Sequence, residues 1–253
     1  MNKFSYTGLE LDLFAHAINW KSYWSSLIQD FLNGDVLEVG AGIGNNTLYL
    51  YSKRYSRWLS LEPDSELAEH LKKTIKNNHY DEKCEVLNGT ISSLGSGYKF
   101  DTILYIDVLE HIEDDKEELN KASSHLKPGG NLIILSPALP ILYSKFDACI
   151  GHFRRYTKKT FKNTLPSTLK IKRLIYLDTV GLLASMGNRF FLRQSMPSLQ
   201  QLRTWDRFII PCSKYIDRLT GYKIGKSMLA ILSLNASFGN GKEKNQHKKC
   251  TIH

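Results

Sequence analysis

The stretch Val36-Leu-Glu-Val-Gly-Ala-Gly-Ile-Gly-Asn-Asn-Thr47 constrains this chain more than any other. Val36 to Val39 is a short apolar run with one acid, the pattern of a buried parallel strand. Gly40, Gly42 and Gly44 then let the backbone turn sharply and approach a ligand with no Cβ in the way. A helix starting near Asn46 points its N-terminal amides into that turn. A second apolar run, Trp58-Leu-Ser-Leu61, ends on Glu62, 22 residues after Gly40. A carboxylate at that offset suits the two hydroxyls of a ribose. Together these features predict a site for a nucleoside-containing cofactor.

The spacing of the glycines narrows the choice. Dinucleotide folds favour Gly-x-Gly-x-x-Gly, whereas this loop reads Gly-x-Gly-x-Gly, with Glu38 two residues ahead of the first glycine. A carboxylate there repels a pyrophosphate but suits a ligand with a cationic amino acid end. The segment closely resembles the first motif of class I S-adenosylmethionine (AdoMet) methyltransferases. The resemblance continues through Leu61-Glu62-Pro63-Asp64, Leu87-Asn-Gly-Thr90, Phe100-Asp-Thr-Ile-Leu-Tyr-Ile-Asp-Val-Leu-Glu-His111 and Leu126-Lys-Pro-Gly-Gly-Asn-Leu-Ile-Ile-Leu-Ser-Pro137. It covers residues 30–138 in order, and it implies AdoMet as cofactor.

Strand and helix signals alternate along the chain. Strands are predicted over 36–39, 57–62, 84–88, 100–106, 130–136 and 170–178, and helices over 46–53, 64–77, 115–126 and about 158–165, the last capped by Thr157. Lys127-Pro-Gly-Gly130 reads as a helix stop and a turn. Strands separated by helices imply an α/β, doubly wound, Rossmann-like sheet. In the methyltransferase order this sheet has seven strands, and Met228–Leu234 supplies the antiparallel last one. Residues 1–238 are predicted to form a single domain. Residues 9–32, with aromatic and aliphatic positions at helical spacing, form a helical cover. An insert over 179–225 precedes the last strand and holds two amphipathic segments, Val180–Arg193 and Leu199–Leu219. The stretch 239–253 reads as a basic, disordered tail.

The resemblance assigns the cofactor residues. Gly40, Gly42 and Gly44 form the loop, Glu38 accepts hydrogen bonds from the AdoMet ammonium, and Glu62 clamps the ribose. Thr90 and Ile91 flank the adenine, although many relatives carry an acid where Thr90 stands. Asp107 lines the methionine end, with Glu110 and His111 as supports. A second reading makes Asp107, Glu110 and His111 a Mg²⁺ site, because similar acid-x-x-Glu-His runs occur in ubiquinone-pathway O-methyltransferases and some RNA-end methyltransferases. The reading without metal is preferred, since His is unusual for a hard cation and many relatives without metal also read Leu-Glu-His.

Asp147 to Tyr156 follows the fifth strand and is the best candidate for work on the acceptor, with His152, Arg155 and Tyr156 as catalytic candidates. An imidazole titrates near neutrality and can take a proton from an acceptor hydroxyl. Arg154 or Arg155 can pair an acidic group. The competing reading is a rigid loop tied by arginine contacts to Asp147. A similar Gly-His-x-Arg-Arg-Tyr run occurs in bacterial methyltransferases associated with surface glycans and lipid-linked sugars.

Charge is uneven. Residues 1–145 carry 14 Lys+Arg against 20 Asp+Glu, and residues 146–253 carry 20 against 5. The second half therefore faces something anionic. The insert sets Phe190, Phe191, Leu192, Trp205, Phe208, Ile209 and Ile210 among Arg189, Arg193, Arg203, Arg207 and Arg218. Such segments either lie on an anionic membrane surface or roof the cleft. Cys84, Cys149, Cys212 and Cys250 lack C-x-x-C spacing and fit reduced thiols in a cytoplasmic protein, peripheral at the inner membrane face if the insert touches lipid. There is no apolar run long enough for a transmembrane helix, and the start lacks a secretory signal's apolar core. The sequence thus predicts AdoMet-dependent methylation of a small or lipid-linked, anionic acceptor, with oxygen favoured over nitrogen. RNA methylation and a non-catalytic AdoMet-binding scaffold are the alternatives. A nucleic-acid partner is disfavoured because no recognisable RNA-binding module is present.

Overall fold

Alternating apolar residues along the strands decide the layers. The computed structural model describes residues 9–78, 80, 82–187 and 197–235. Helices α1 (Leu9–Ala15) and α2 (Ile18–Ser26) lead into β1 (Asp35–Val39), α3 (Thr47–Leu50), β2 (Arg57–Glu62), α4 (Ser65–Asn77) and β3 (Cys84–Asn88). Then come β4 (Phe100–Ile106), α5 (Asp115–Ser124), β5 (Leu126–Pro137), α6 (Lys145–Cys149), α7 (Lys158–Lys162) and β6 (Leu169–Leu177). Helices α8 (Thr179–Gly187), α9 (Leu199–Thr204) and α10 (Ile210–Leu219) precede β7 (Ser227–Leu234), with a π-helical turn over Trp205–Ile209 joining α9 to α10.

The seven strands form one sheet in the order β3-β2-β1-β4-β5-β7-β6. The strands from β3 to β5 run parallel, while β7 runs antiparallel to both β5 and β6. Leu37, Ile103, Leu132 and Ala230 face one core, toward α5 and α7. Val36, Leu104, Ile133 and Ile231 face the other, toward α2, α4 and α10. Successive residues thus bury opposite sides, as the two-residue pleat requires. The order reverses at β1, which lies between β2 and β4, so the crevice opens at the carboxyl ends of these strands.

The seven-stranded sheet and its antiparallel last strand agree with the sequence reading, and several local boundaries differ from it. The helix predicted over 46–53 stops at Leu50, because Tyr51 turns extended and its ring packs against Trp58 and Tyr80. The strand predicted from 130 starts at Leu126, and its pairing to β4 jumps from Leu126 to Asn131. Lys127-Pro-Gly-Gly130 is therefore an irregularity within β5. The cover over 9–32 is two helices and a short 3₁₀ turn. Arg189, Phe190, Phe191, Leu192 and Arg193 of the insert, and the tail 239–253, lie outside the described residues.

Buried carboxylates tie the insert to the sheet and to the N-terminal helices. Asp217 accepts the Tyr23 hydroxyl at 2.8 Å and the amides of Asp178 and Thr179 at 2.7 and 2.9 Å. Asp206 accepts the amides of Asn19 and Trp20 at 3.0 and 2.9 Å. Asp178 accepts Ser213 Oγ, Gly181 N and Trp205 Nε1, and lies 3.3 Å from Lys226 Nζ. Removing one of these acids strands several donors away from water. Asp217→Ala should lower the unfolding free energy by about 3 kcal/mol, measured by denaturant titration.

Candidate active site

The cofactor loop follows β1 directly. Gly40, Gly42 and Gly44 all have positive φ, at 70°, 55° and 87°. A Cβ on Gly40 would come within 2.7 Å of Val108 Cγ2, so both its conformation and its packing require glycine. The Ala41 amide donates to Leu61 O of β2 at 2.9 Å, and the Gly42 amide donates to Glu62 Oε2 at 2.7 Å. Glu62 Oε1 accepts from the Asp64 amide at 2.8 Å. Burial pushes the Glu62 carboxyl up, and the Asp64 and Gly42 amides oppose this.

Glu38 is buried on β1. One of its oxygens accepts Thr47 Oγ1 at 2.5 Å and Trp58 Nε1 at 3.2 Å, while Oε1 has no hydrogen-bond partner. Burial pushes this carboxyl up to about 7, against the hydrogen bonds from Thr47, Trp58 and Ser60. A buried acceptor without a donor is costly, and a cationic ligand would supply one. The donor set beside the glycine turn therefore fits AdoMet.

A cavity of about 1560 Å³ opens at this end of the sheet. Gly40, Gly42 and Asp107 line it, as do Glu110, His111, His152 and Arg155. Asp107 adopts a left-handed φ of 55° and exposes its side chain to the cavity. Enclosure by surrounding protein pushes its carboxyl up to about 7, with the Lys226 ammonium opposing. Glu38, Gly44, Glu62, Thr90 and Ile91 are not on the cavity wall. Thr90 is exposed, its amide donating to Ser93 Oγ at 3.1 Å, and Ile91 is buried in the core.

The other end of the cavity is built around Asp147. This residue sits in the first turn of α6, where it accepts the Ser144 amide and hydroxyl at 2.8 and 2.9 Å. Arg155 grips both its oxygens, at 2.7 and 3.0 Å. His152 Nδ1 lies 2.9 Å from Asp147 Oδ1. Burial would raise the Asp147 carboxyl, but His152, Arg155 and the Ser144 amide outweigh it and hold it well below the usual range. An ionised carboxylate only accepts, so in the neutral imidazole Nδ1 carries the hydrogen and Nε2 keeps its lone pair. Nε2 lies 3.8 Å from Glu110 Oε1.

Glu110 is fully buried, with Oε2 accepting Ser136 Oγ at 2.9 Å and Oε1 unpartnered. Burial and then Asp107 push its carboxyl well up. His111 packs edge-on against His152 at 4.5 Å, and burial followed by His152 brings its imidazole down to about 4. Donor atoms of Glu110, His111 and His152 lie within 4.8 Å of one another, and Asp107 is not part of that group. Two imidazoles and one carboxylate suit a nitrogen-preferring transition ion rather than Mg²⁺. The Mg²⁺ set of Asp107, Glu110 and His111 is therefore a poor fit.

The remaining acceptor candidates separate. Arg155 reaches the cavity, whereas Arg154 pairs with Asp115 at 2.7 Å and with Glu113 O at 2.6 Å. Tyr156 is not on the wall; it is buried, its hydroxyl 2.8 Å from Asp115, which gives it a packing place behind the site. The sequence reading missed Lys226. Its ammonium lies 4.3 Å from the Trp205 ring and faces the cavity, brought there by the antiparallel return into β7. No local motif marks that position.

The model of a family described as a methyltransferase domain matches residues 14–175. No curated protein matches the chain. Among solved structures, the chain is similar to an S-adenosylmethionine-dependent methyltransferase from Clostridium acetobutylicum ATCC 824, at 14% identity and a TM-score of 0.56, covering 87% of this chain and 92% of that one. It is similar to the cyclase SpnF at 11% identity and a TM-score of 0.59, covering 90% and 92%. It is also similar to StiE O-MT residues 942–1257 at 14% identity and a TM-score of 0.53, covering 85% and 72%. Identities this low carry the fold alone, and one fold hosts several chemistries.

The Asp147 cluster generates a pH prediction. A carboxylate held low in the folded state adds stability above its unfolded pKa, and this is lost as pH falls toward the folded value. Asp147→Asn should therefore be less stable than the wild type at pH 7. The gap should narrow as pH drops below about 4, followed by denaturant unfolding across pH.

Proposed function

Because the chain belongs to the methyltransferase-domain family, it is an AdoMet-dependent methyltransferase, and we propose that its acceptor is an apolar, anionic molecule, small or lipid-linked, methylated on oxygen. The observation that carries this reading is His152 on the wall of a large cavity, its ring held from behind by the buried Asp147. The volume of about 1560 Å³ exceeds the ~300–1,000 Å³ of an ordinary ligand pocket, leaving room for an acceptor beside a nucleoside cofactor. The N-terminal helices bring Leu11, Phe14, Trp20 and Trp24 to the wall, and the insert brings Leu202 and Trp205. Lys21, Lys145, Arg155 and Lys226 are the cations there. Apolar walls with a few cations suit an acceptor with a hydrocarbon body and an anionic group.

AdoMet, when bound, supplies a methyl group on a sulfonium, and its departure needs no acid. The chain's own residues supply alignment and a proton acceptor. Gly40 and Gly42 would allow close approach of the cofactor, while Glu62 and Glu38, buried just behind that wall, would meet the ribose hydroxyls and the ammonium, Glu38 directly or through water. Asp147 fixes the ring of His152, so that Nε2 takes the hydroxyl proton of the acceptor as the new bond forms.

Burial raises the Glu38 carboxyl to about 7, and an ammonium beside it favours the ionised form. Binding of AdoMet near pH 7 should therefore release protons from this group. Calorimetry in buffers of different ionisation enthalpy reads that release, which should be smaller in Glu38→Gln. Glu62→Ala should weaken AdoMet binding by tenfold or more, on the order of one charged hydrogen bond. A methyl-release screen over hydroxylated lipids, lipid-linked sugars, amines and RNA identifies the acceptor class. With that acceptor, His152→Ala should lower turnover by ~10²–10⁴ while AdoMet affinity is kept. Unchanged turnover removes His152 from the mechanism, and methyl incorporation into RNA alone overturns the acceptor reading.

A further inference from the structure

The helix that roofs the cavity has a second, unused face. At the helical period, Asp206, Ile210, Ser213 and Asp217 share one stripe, and all four are buried against the body of the protein. Phe208, Cys212, Tyr215 and Leu219 share the opposite stripe. Phe208 is 61% exposed, Tyr215 77% and Leu219 80%. Helix α8, packed alongside α10, exposes Leu183 and Met186 as well. Scattered exposed apolar residues need no explanation, but an apolar stripe along one helix does.

Charge beside the stripe has a single sign. From 197 to 225 the chain carries two acids, Asp206 and Asp217, and both are buried and turned inward onto amides and a tyrosine hydroxyl. Arg203, Arg207 and Arg218 are exposed, and Lys214 is half-buried. Arg207, Lys214 and Arg218 form one row along the flank of the apolar stripe at the helical period. No described helix is long and apolar enough to cross a membrane.

From this arrangement we propose that the outer face of the segment 199–219 docks on an anionic lipid bilayer surface, with Phe208, Tyr215 and Leu219 entering the headgroup layer and Arg207, Lys214 and Arg218 meeting lipid phosphates. Aromatic and leucine side chains beside arginines are what an interfacial helix needs, and the inner acids spare the face any repulsion from anionic lipid. The docking does not rest on the acceptor reading, since it uses none of the residues assigned to cofactor or proton transfer.

Flotation of the purified full chain with vesicles tests it. The protein should float with phosphatidylcholine vesicles containing phosphatidylglycerol, remain behind with pure phosphatidylcholine, and lose flotation as salt rises. Neutralising Arg207 and Arg218 together (Arg207→Gln, Arg218→Gln) should lower partition about 25-fold, about fivefold per charge. Phe208→Ser with Leu219→Ser should lower it at least about tenfold. Both variants should melt at the wild-type temperature, because the four side chains are exposed. Absence of flotation on anionic vesicles at low salt overturns the proposal, as does wild-type flotation of the Phe208/Leu219 variant. A concentration-dependent dimer that Leu219→Ser dissolves, without flotation, also overturns it and assigns the face to a second copy of the chain.

Discussion

A carboxylate at the carboxyl end of β2 holds the turn after β1 in place. Glu62 receives the Gly42 amide on one oxygen and the Asp64 amide on the other, so one side chain joins the glycine loop to the start of α4. The rest of the molecule repeats this device. Asp206 and Asp217 pin the insert to the N-terminal helices, Asp178 joins α8, α10 and the approach to β7, and Asp147 organises the loop after β5. A buried carboxylate is expensive unless its lone pairs are filled, and filling them with amides or guanidinium fixes the geometry of every donor involved. The cleft is therefore shaped by directional bonds at its rim and by apolar packing only beneath.

The acids in and just behind the cavity wall fall into two electrostatic classes because their neighbours differ. Asp147 has a guanidinium, an imidazole and an amide on it and stays ionised. Glu38, Asp107 and Glu110 have burial or enclosure with too little positive charge nearby, and their carboxyls rise. Separating carboxyls by environment is how a site assigns different jobs to like groups. Here the ionised acid orients a histidine, while the raised acids lie where a cationic cofactor would add the missing charge.

Strands and the cofactor turn were legible in the sequence because their signals are local. A short apolar run, a glycine at a forced turn and an acid at fixed offset each read within a few residues, and β2, β3 and β4 fall where the runs end. Boundaries governed by tertiary contacts were not legible. The helix at Thr47 stops early because the Tyr51 ring is drawn to Trp58 and Tyr80. Lys127 to Gly130 carries a helix-stop signature yet stays within β5, since β4 pairs on either side of it. At the site, His152 and Arg155 were visible as a motif. Their partner, Asp147, entered the sequence reading only through the competing alternative, as a tie for the arginines, and in the structure it holds both Arg155 and the His152 ring. Lys226 carries no motif because its place depends on β7 folding back between β5 and β6.

One helix shapes both sides of the roof. Leu202, Trp205 and Ile209 look into the cavity, while Phe208, Tyr215 and Leu219 look outward. The π-helical turn at Trp205–Ile209 inserts an extra residue per turn where these roles change over. A straight α-helix would hold Trp205 in a different register to Asp178, whose oxygen takes the indole N–H at 2.8 Å. The same acid sits 3.3 Å from Lys226, so the roof, the cavity cation and the entry to β7 share one anchor. If the outer face rests on a bilayer, any tilt of the roof is passed through Asp178 to Lys226 and the adjacent Asp107. An acceptor arriving from lipid would then meet a cavity whose wall and charge are set by the element touching the membrane.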